Sequence, residues 1–245
     1  YPYVDGVEVV SLNLAATIAS ELARLTTLEM ESTVNDESLQ SDYEEVIKDA
    51  RRFTEYGLAL GDLILKPYPV GDRISVDYVT PDMFVPIGFD SFGRLTHVVF
   101  IDQIVRIEDR RKIYYTRLEE HKITSGGYTI SNTAYRSEAK SSLGDQISLT
   151  RVDEWIELDL EASVTGYFTP LFGHFRNPQS NNLDLRSPMG ISCFSKAASL
   201  IQDADEQYSR ILWEYQGSEL AIDADVTVLE ASGNMPKHGD RLFRN

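Results

Sequence analysis

The sequence predicts an α+β protein, and three observations carry the prediction. Apolar residues recur at helical spacing near the start, the period falls to two over 63–176, and a long helical run follows a polar loop.

Residues 11–30 read as a helix: Leu14, Ile18, Leu22 and Leu25 recur on one face without Gly or Pro to interrupt them, and Ser11 is placed to cap it. Residues 31–42 are acidic and polar with no apolar periodicity, which predicts a mobile loop. A second helix is expected from near Tyr43, burying Val46, Ile47, Ala50 and Phe53 and ending at Gly57 and Gly61. From Leu63 short strands follow at 63–65, 74–78 and 83–89, split by Pro, Gly and Asp. Asp90-Ser91-Phe92-Gly93 has the composition of a hairpin turn between 85–89 and 95–104, and Ser125-Gly126-Gly127 of another between 112–123 and 128–135.

On the strand 112–121, Ile113, Tyr115, Arg117, Glu119 and His121 share one face, and Tyr114, Thr116, Leu118 and Glu120 the other. Neither face is purely apolar, so the sheet is expected to be partly solvated or to meet a neighbour. Residues 155–158 read as a strand or a sheet-packing segment, and 171–175 as a strand leading to the polar loop 177–187. Pro188 sits where a first helical turn tolerates it.

The helix expected over 190–216 is the most informative element. Phe194, Ala197, Ile201, Ala204, Tyr208, Ile211 and Tyr215 fall three and four apart, the spacing of a narrow helix–helix seam. Asp203, Glu206, Gln207, Arg210 and Glu214 occupy the polar side, with Glu206, Arg210 and Glu214 four apart for ion pairing, so water or a wet channel should lie there. At ~1.5 Å rise per residue the helix would reach roughly 40 Å. Beyond Gly217, residues 219–229 alternate with Leu220, Ile222, Ala224, Val226 and Val228 on one side, which predicts a strand.

Composition excludes several functions. The 39 acidic and 23 basic residues give a net charge of -16, which opposes the phosphate neutralisation of an ordinary nucleic-acid binder. No apolar run is long enough to span a membrane, and the start at Tyr1 without a basic n-region reads as a piece of a longer protein. The single Cys193 cannot form an intrachain disulfide and suits a small buried hydrophobe.

No enzymatic signature, cofactor or metal site is indicated. His97, His121, His174 and His238 have no partner at metal-ligand spacing. Residues 190–194 begin like a nucleophile elbow, but Phe194 stands where the second glycine belongs, so Ser192 is expected to begin the helix. Gly57 to Gly61 lacks the Lys-Ser/Thr ending of a phosphate loop. Adjacent acids such as Glu119 and Glu120, or Asp223 and Asp225, are expected by chance among so many, and Asp77 and Asp82 read as turn residues bonding backbone amides.

The stretch LFGHFRNPQSNNLDLRSPMGISCF, followed by a helix carrying DADEQYSRILWEYQ, resembles the portal proteins of tailed bacteriophages, the ring-shaped connectors through which DNA enters and leaves the head. The similarity extends back through LALGDLILKPYPVGDRISVDYVTPDMFVPIGFDSFGRLTHVVFI and KIYYTRLEEH. It implies that 1–62 are the helical part of the wing, 63–176 its antiparallel sheet, 177–217 a polar loop and first stem helix, and 218–245 the start of the clip. The returning stem helix and tunnel loop would lie outside this sequence. The resemblance further implies a non-enzymatic ring of about twelve copies at the head–tail vertex of the virion, assembled in the bacterial cytoplasm. Its implied partners are terminase, adaptor and capsid or scaffold proteins, and duplex DNA without sequence preference; no membrane is involved. An acidic wall would help a polyanion slide without sticking, whereas the charge taken alone reads more simply as solubility. Two alternatives are a carbohydrate- or polymer-processing hydrolase with an Asp/Glu pair and Tyr114, Tyr115, Tyr128 and Trp155 on a sheet surface, or a virion interaction module without a channel.

Overall fold

Asn13, at φ 55°, turns the chain immediately before its first helix, and Ser11 Oγ accepts from the Asn13 N–H instead of capping the helix. The structure, a computed structural model, describes Tyr3–Val4 and residues 7–220, and its helices and antiparallel sheets make an α+β fold. Contacts divide the chain into two units, one of residues up to Ala15 with those from Lys196 on, the other of Ala16–Ser195. The second unit thus unites the predicted N-terminal helices, sheet and polar loop.

Strands β1 (Tyr3–Val4) and β2 (Val7–Glu8) pair antiparallel in the first unit. Helix α1 (Leu14–Thr27) buries Ala19 and Ala23, not the predicted leucine face: Leu14, Ile18, Leu22 and Leu25 are 36–57% exposed.

Helix α2 (Glu37–Lys48) occupies part of the predicted loop because Asp36 caps it, its carboxylate accepting from the Ser38 N–H at 2.9 Å. Asp49 separates it from α3 (Ala50–Leu60). Val46, Ile47, Ala50 and Phe53 are half-buried, and the Phe53 ring stacks on Tyr78 with centroids 3.5 Å apart. Gly57 does not end α3; it lies within the helix, where an added Cβ would stand 2.7 Å from the Phe175 ring. Gly61 is the terminator, in the positive-φ conformation at 96° that favours glycine.

Strands β3 (Asp62–Val70) and β4 (Arg73–Val79) form a hairpin. A short 3-10 turn, Pro81–Met83, leads to β5 (Phe84–Phe89). There Asp82 accepts from the Thr80 hydroxyl at 2.5 Å, so its partner is a side chain and not the backbone amide expected. The predicted hairpins join β5 to β6 (Leu95–Glu108) and β7 (Arg111–Thr124) to β8 (Gly127–Ser137). At the first, the Asp90 carboxylate accepts from the Phe92 and Arg94 amides at 2.8 and 2.9 Å.

Strands β9 (Asp145–Ile147) and β10 (Glu161–Thr165) both pair with β8, completing a six-stranded sheet. Strand β11 (Gly173–Arg176) joins β3 and β4 in a three-stranded sheet, order β11-β3-β4. Two cores result. Ile64, Phe84, Leu95, Val98, Phe100 and Phe172 form one, bringing residues of both sheets together. Ile113, Tyr115, Ala134, Leu149, Val152 and Trp155 form the other. Trp155 ends a 3-10 turn (Asp153–Trp155), so this segment packs on the sheet as expected but is not a strand.

Helix α4 (Ala198–Leu220) begins after a 3-10 turn (Ser195–Ala197), later than the predicted start near Gly190. The intervening chain is held non-helical: Gly190 N–H donates to Asp62 Oδ2 and Cys193 N–H to the Leu58 carbonyl, each at 2.8 Å. Pro188 and Phe194 therefore lie outside the helix, and Ser192 serves the turn before it, accepting from the Phe194 and Ser195 amides. Gly217 does not end α4, which continues through Leu220. The predicted strand over 219–229 thus begins in helix, and its remainder lies outside the described residues, as do Asp223, Asp225 and His238.

Candidate functional site

The face of α4 that the fold buries is polar. Asp205 and Ser209 are 3% and 4% exposed and clasp the N-terminal segment of their own unit. Ser209 Oγ accepts from the Val10 N–H at 2.8 Å, while Asp205 accepts from the Leu12 N–H at 2.9 Å and from the Ser11 hydroxyl at 3.1 Å. Ser209 in turn donates to the Asp205 carbonyl at 2.7 Å. Neither residue belongs to the predicted seam. Seam spacing locates apolar stripes and is blind to a carboxylate that satisfies backbone amides far along the chain.

The predicted seam is divided by this arrangement. Phe194, Ala197, Ile201 and Ala204 are half-buried, whereas Tyr208, Ile211 and Tyr215 are exposed, Ile211 at 61%. With 3.6 residues per turn, the face opposite Asp205 and Ser209 carries Leu200, Asp203, Gln207, Ile211 and Glu214. All five are exposed, Leu200 at 69%. Arg210 is also exposed and Glu206 half-buried, the latter accepting from Gln202 Nε2 at 3.0 Å. The outward surface of α4 therefore mixes large apolar residues with acids, and does not separate a dry seam from a wet face.

The loop that precedes α4 is tied by its own amides. Asn177 donates its N–H to the Gly61 carbonyl and its Nδ2 to the Ile191 carbonyl, at 2.8 and 2.9 Å. Gln179 Nε2 reaches the Cys193 carbonyl at 2.9 Å, and Asn181 Nδ2 the Met189 carbonyl at 3.2 Å. Beneath them Asp62 accepts from the Gly190 N–H and meets His174 Nε2, both at 2.8 Å. An added Cβ on Gly190 would stand 2.2 Å from the Gly61 carbonyl oxygen, so the two backbones cross only because no side chain intervenes. These residues thus build a hydrogen-bonded crossing over the end of α3. Cys193 is half-buried within it, and burial pushes its thiol up.

One face of β7 is wired, with Glu119 and His121 buried and Arg117 half-buried, while Tyr114, Leu118 and Glu120 on the other are half-buried, so the sheet is partly solvated. Glu119 accepts from Lys66 of β3 at 3.1 and 3.2 Å, from Arg117 Nη1 at 2.7 Å and from His121 Nε2 at 2.6 Å. A carboxylate only accepts, so His121 Nε2 carries the proton there, and its Nδ1 meets the Tyr128 hydroxyl at 2.7 Å. Arg117 also reaches Asn132 Oδ1 at 2.9 Å and Asp102 Oδ2 at 3.3 Å; Asp102 accepts from Trp155 Nε1 at 3.0 Å. Burial works against the Glu119 charge, but the His121 hydrogen bond and the Lys66 and Arg117 charges outweigh it and hold this carboxyl well below the usual carboxylate range.

Glu120 points to the other face and meets His97 at 2.6 Å, so adjacency in sequence does not make Glu119 and Glu120 a pair. Tyr115, Tyr128 and Trp155 are buried and form no sheet-surface platform. Among the described residues no group of three or more His, Cys, Asp or Glu is placed to hold a metal ion, and no helix is long and apolar enough to cross a membrane. No family model matches the chain, and no curated protein matches it.

Proposed function

We propose that this chain is the wing and first stem helix of a tailed-bacteriophage portal protein, a ring-forming conduit for DNA packaging and ejection. The single observation that carries the reading is the order of elements over 173–220: a short strand, a loop clamped by its own amides, and a 23-residue helix with an outward face of apolar and acidic residues. This is the order that the resemblance implies, and a helix face carrying Leu200 and Ile211 gains stability when another surface covers it. The net charge of -16 supports passage of a polyanion without adhesion.

In this reading α4 stands in the stem and the second unit in the wing. The protein's partners are copies of itself, terminase, the adaptor and the capsid or scaffold proteins, in the bacterial cytoplasm during assembly and then in the virion. Ile211 tests the packing better than the half-buried Ile201 of the predicted seam, because its exposure leaves the fold of a single copy untouched. In the full-length protein, Ile211→Asp should abolish ring assembly in negative-stain images while the circular-dichroism spectrum stays that of wild type. Rings of normal size and yield from the variant would overturn the assignment of this face.

A further inference from the structure

A groove of about 340 Å³ lies where the end of α1 meets the junction of α2 and α3, all within the second unit. Its lining departs from the character of the chain. Arg24, Lys48 and Arg51 stand around Leu28, Met30 and Ile47, and no carboxylate lines it, in a molecule of net charge -16. Leu28 is 63% exposed and Met30 41%, so the apolar floor is open. Arg24 pairs with Glu21 at 2.6 Å and Lys48 with Glu45 at 2.5 Å, but every partner in these pairs is solvent-exposed. Exposed pairs of this kind hold little free energy, and their cations remain available to an incoming carboxylate.

The complementary surface exists in the same sequence. The outward face of α4 sets Leu200 and Ile211 beside Asp203 and Glu214. We propose that the groove receives this face of α4 from a second copy of the chain, with Ile211 covering Leu28 and Met30 and with Glu214, one turn further on, meeting the cations around them. Charge selects the occupant: two copies of so acidic a protein repel each other over most of their surfaces, and the cationic groove is where an acidic helix is attracted instead. Nucleic acid would satisfy the cations but leave Leu28, Met30 and Ile47 against a phosphate backbone, whereas a helix with apolar residues between its acids covers both. The contact is heterologous, since groove and helix face are different surfaces, so copies join head to tail as a ring requires.

This inference rests on the ring-forming reading and names one contact through which the ring closes. The test uses two charge-reversed variants of the full-length protein, Arg51→Glu and Glu214→Lys, each alone and in equal mixture, with self-association followed by sedimentation velocity. Each variant alone should associate about tenfold or more weakly than wild type, because the reversal turns one attraction of the contact into a repulsion. The mixture should recover wild-type association: the altered groove of the first variant meets the altered helix of the second, and the remaining pair is native. Recovery in trans also excludes a helix folded into its own groove. Rings that form equally well from both single variants would overturn the contact and leave the ring-forming reading standing. Weakened variants that fail to recover on mixing would equally overturn it. Wild-type protein that stays monomeric at every concentration would overturn the ring-forming reading and the contact together.

Discussion

Glu119 serves three hydrogen-bond donors at once, and its removal would leave Lys66 without a carboxylate and Arg117 with Asp102 alone, both in a buried setting. Lys66 and Arg117 have side chains only 12% and 11% exposed. Glu119→Ala should therefore destabilise the fold by about 3–5 kcal/mol in urea denaturation, the cost of breaking a buried pair from one side. A loss under about 1 kcal/mol, typical of an exposed pair, would contradict the buried geometry. The pH dependence has a definite sign. A carboxyl whose folded pKa is depressed contributes stability that is present above its unfolded value, about 4.3 for Glu, and lost as pH falls below it toward the folded value. The stability of the wild type should accordingly fall below about pH 4, and Glu119→Gln should lose less over the same interval. Parallel acid limbs for the two proteins would show that Glu119 carries no such linkage.

At the scale of elements, α1 is the instructive case. Its period was legible in the sequence, but its orientation was not, because the buried residues are Ala19 and Ala23, whose small side chains weigh little in an apolar pattern beside four larger ones. Ala23→Leu should cost about 1–3 kcal/mol by overpacking, whereas Leu25→Gln should stay within about 0.5 kcal/mol of wild type; the reverse order in thermal denaturation would restore the leucine face to the core. Helix α4 makes the same point. Its existence followed from spacing, but its start depends on Gly190 crossing Gly61 and on Asp62 bonding Gly190, contacts between residues far apart in sequence. Asp205 was hidden for a similar reason, since its partners Ser11 and Leu12 lie at the other end of the chain. Asp205→Ala should speed amide hydrogen exchange at Leu12, which no change would contradict. The hairpins were legible because a turn is a local event: Asp90 bonds residues only two and four positions away.

At the scale of the whole molecule, the α+β class followed from the switch of period between the helices and the strands, while the burial of the β7 polar face did not. Single-strand patterning treats Arg117, Glu119 and His121 as solvent-facing, and only the pairing of β7 with neighbours that supply Asp102, Tyr128 and Asn132, together with Lys66 from β3, makes their burial tolerable. The same layout gives Glu119 and the aromatics Tyr115, Tyr128 and Trp155 structural partners. Among the surfaces the fold leaves outward are the face of α4 and the basic groove beside α1, two of opposite character on one chain. Their proposed pairing between copies makes assembly the property to measure. The mass of the purified full-length protein, determined by native mass spectrometry at several concentrations, tests the ring-forming reading most directly. A single dominant species at one high integer multiple of the chain mass, unchanged on dilution, is the expected result; a monomer at every concentration would contradict it.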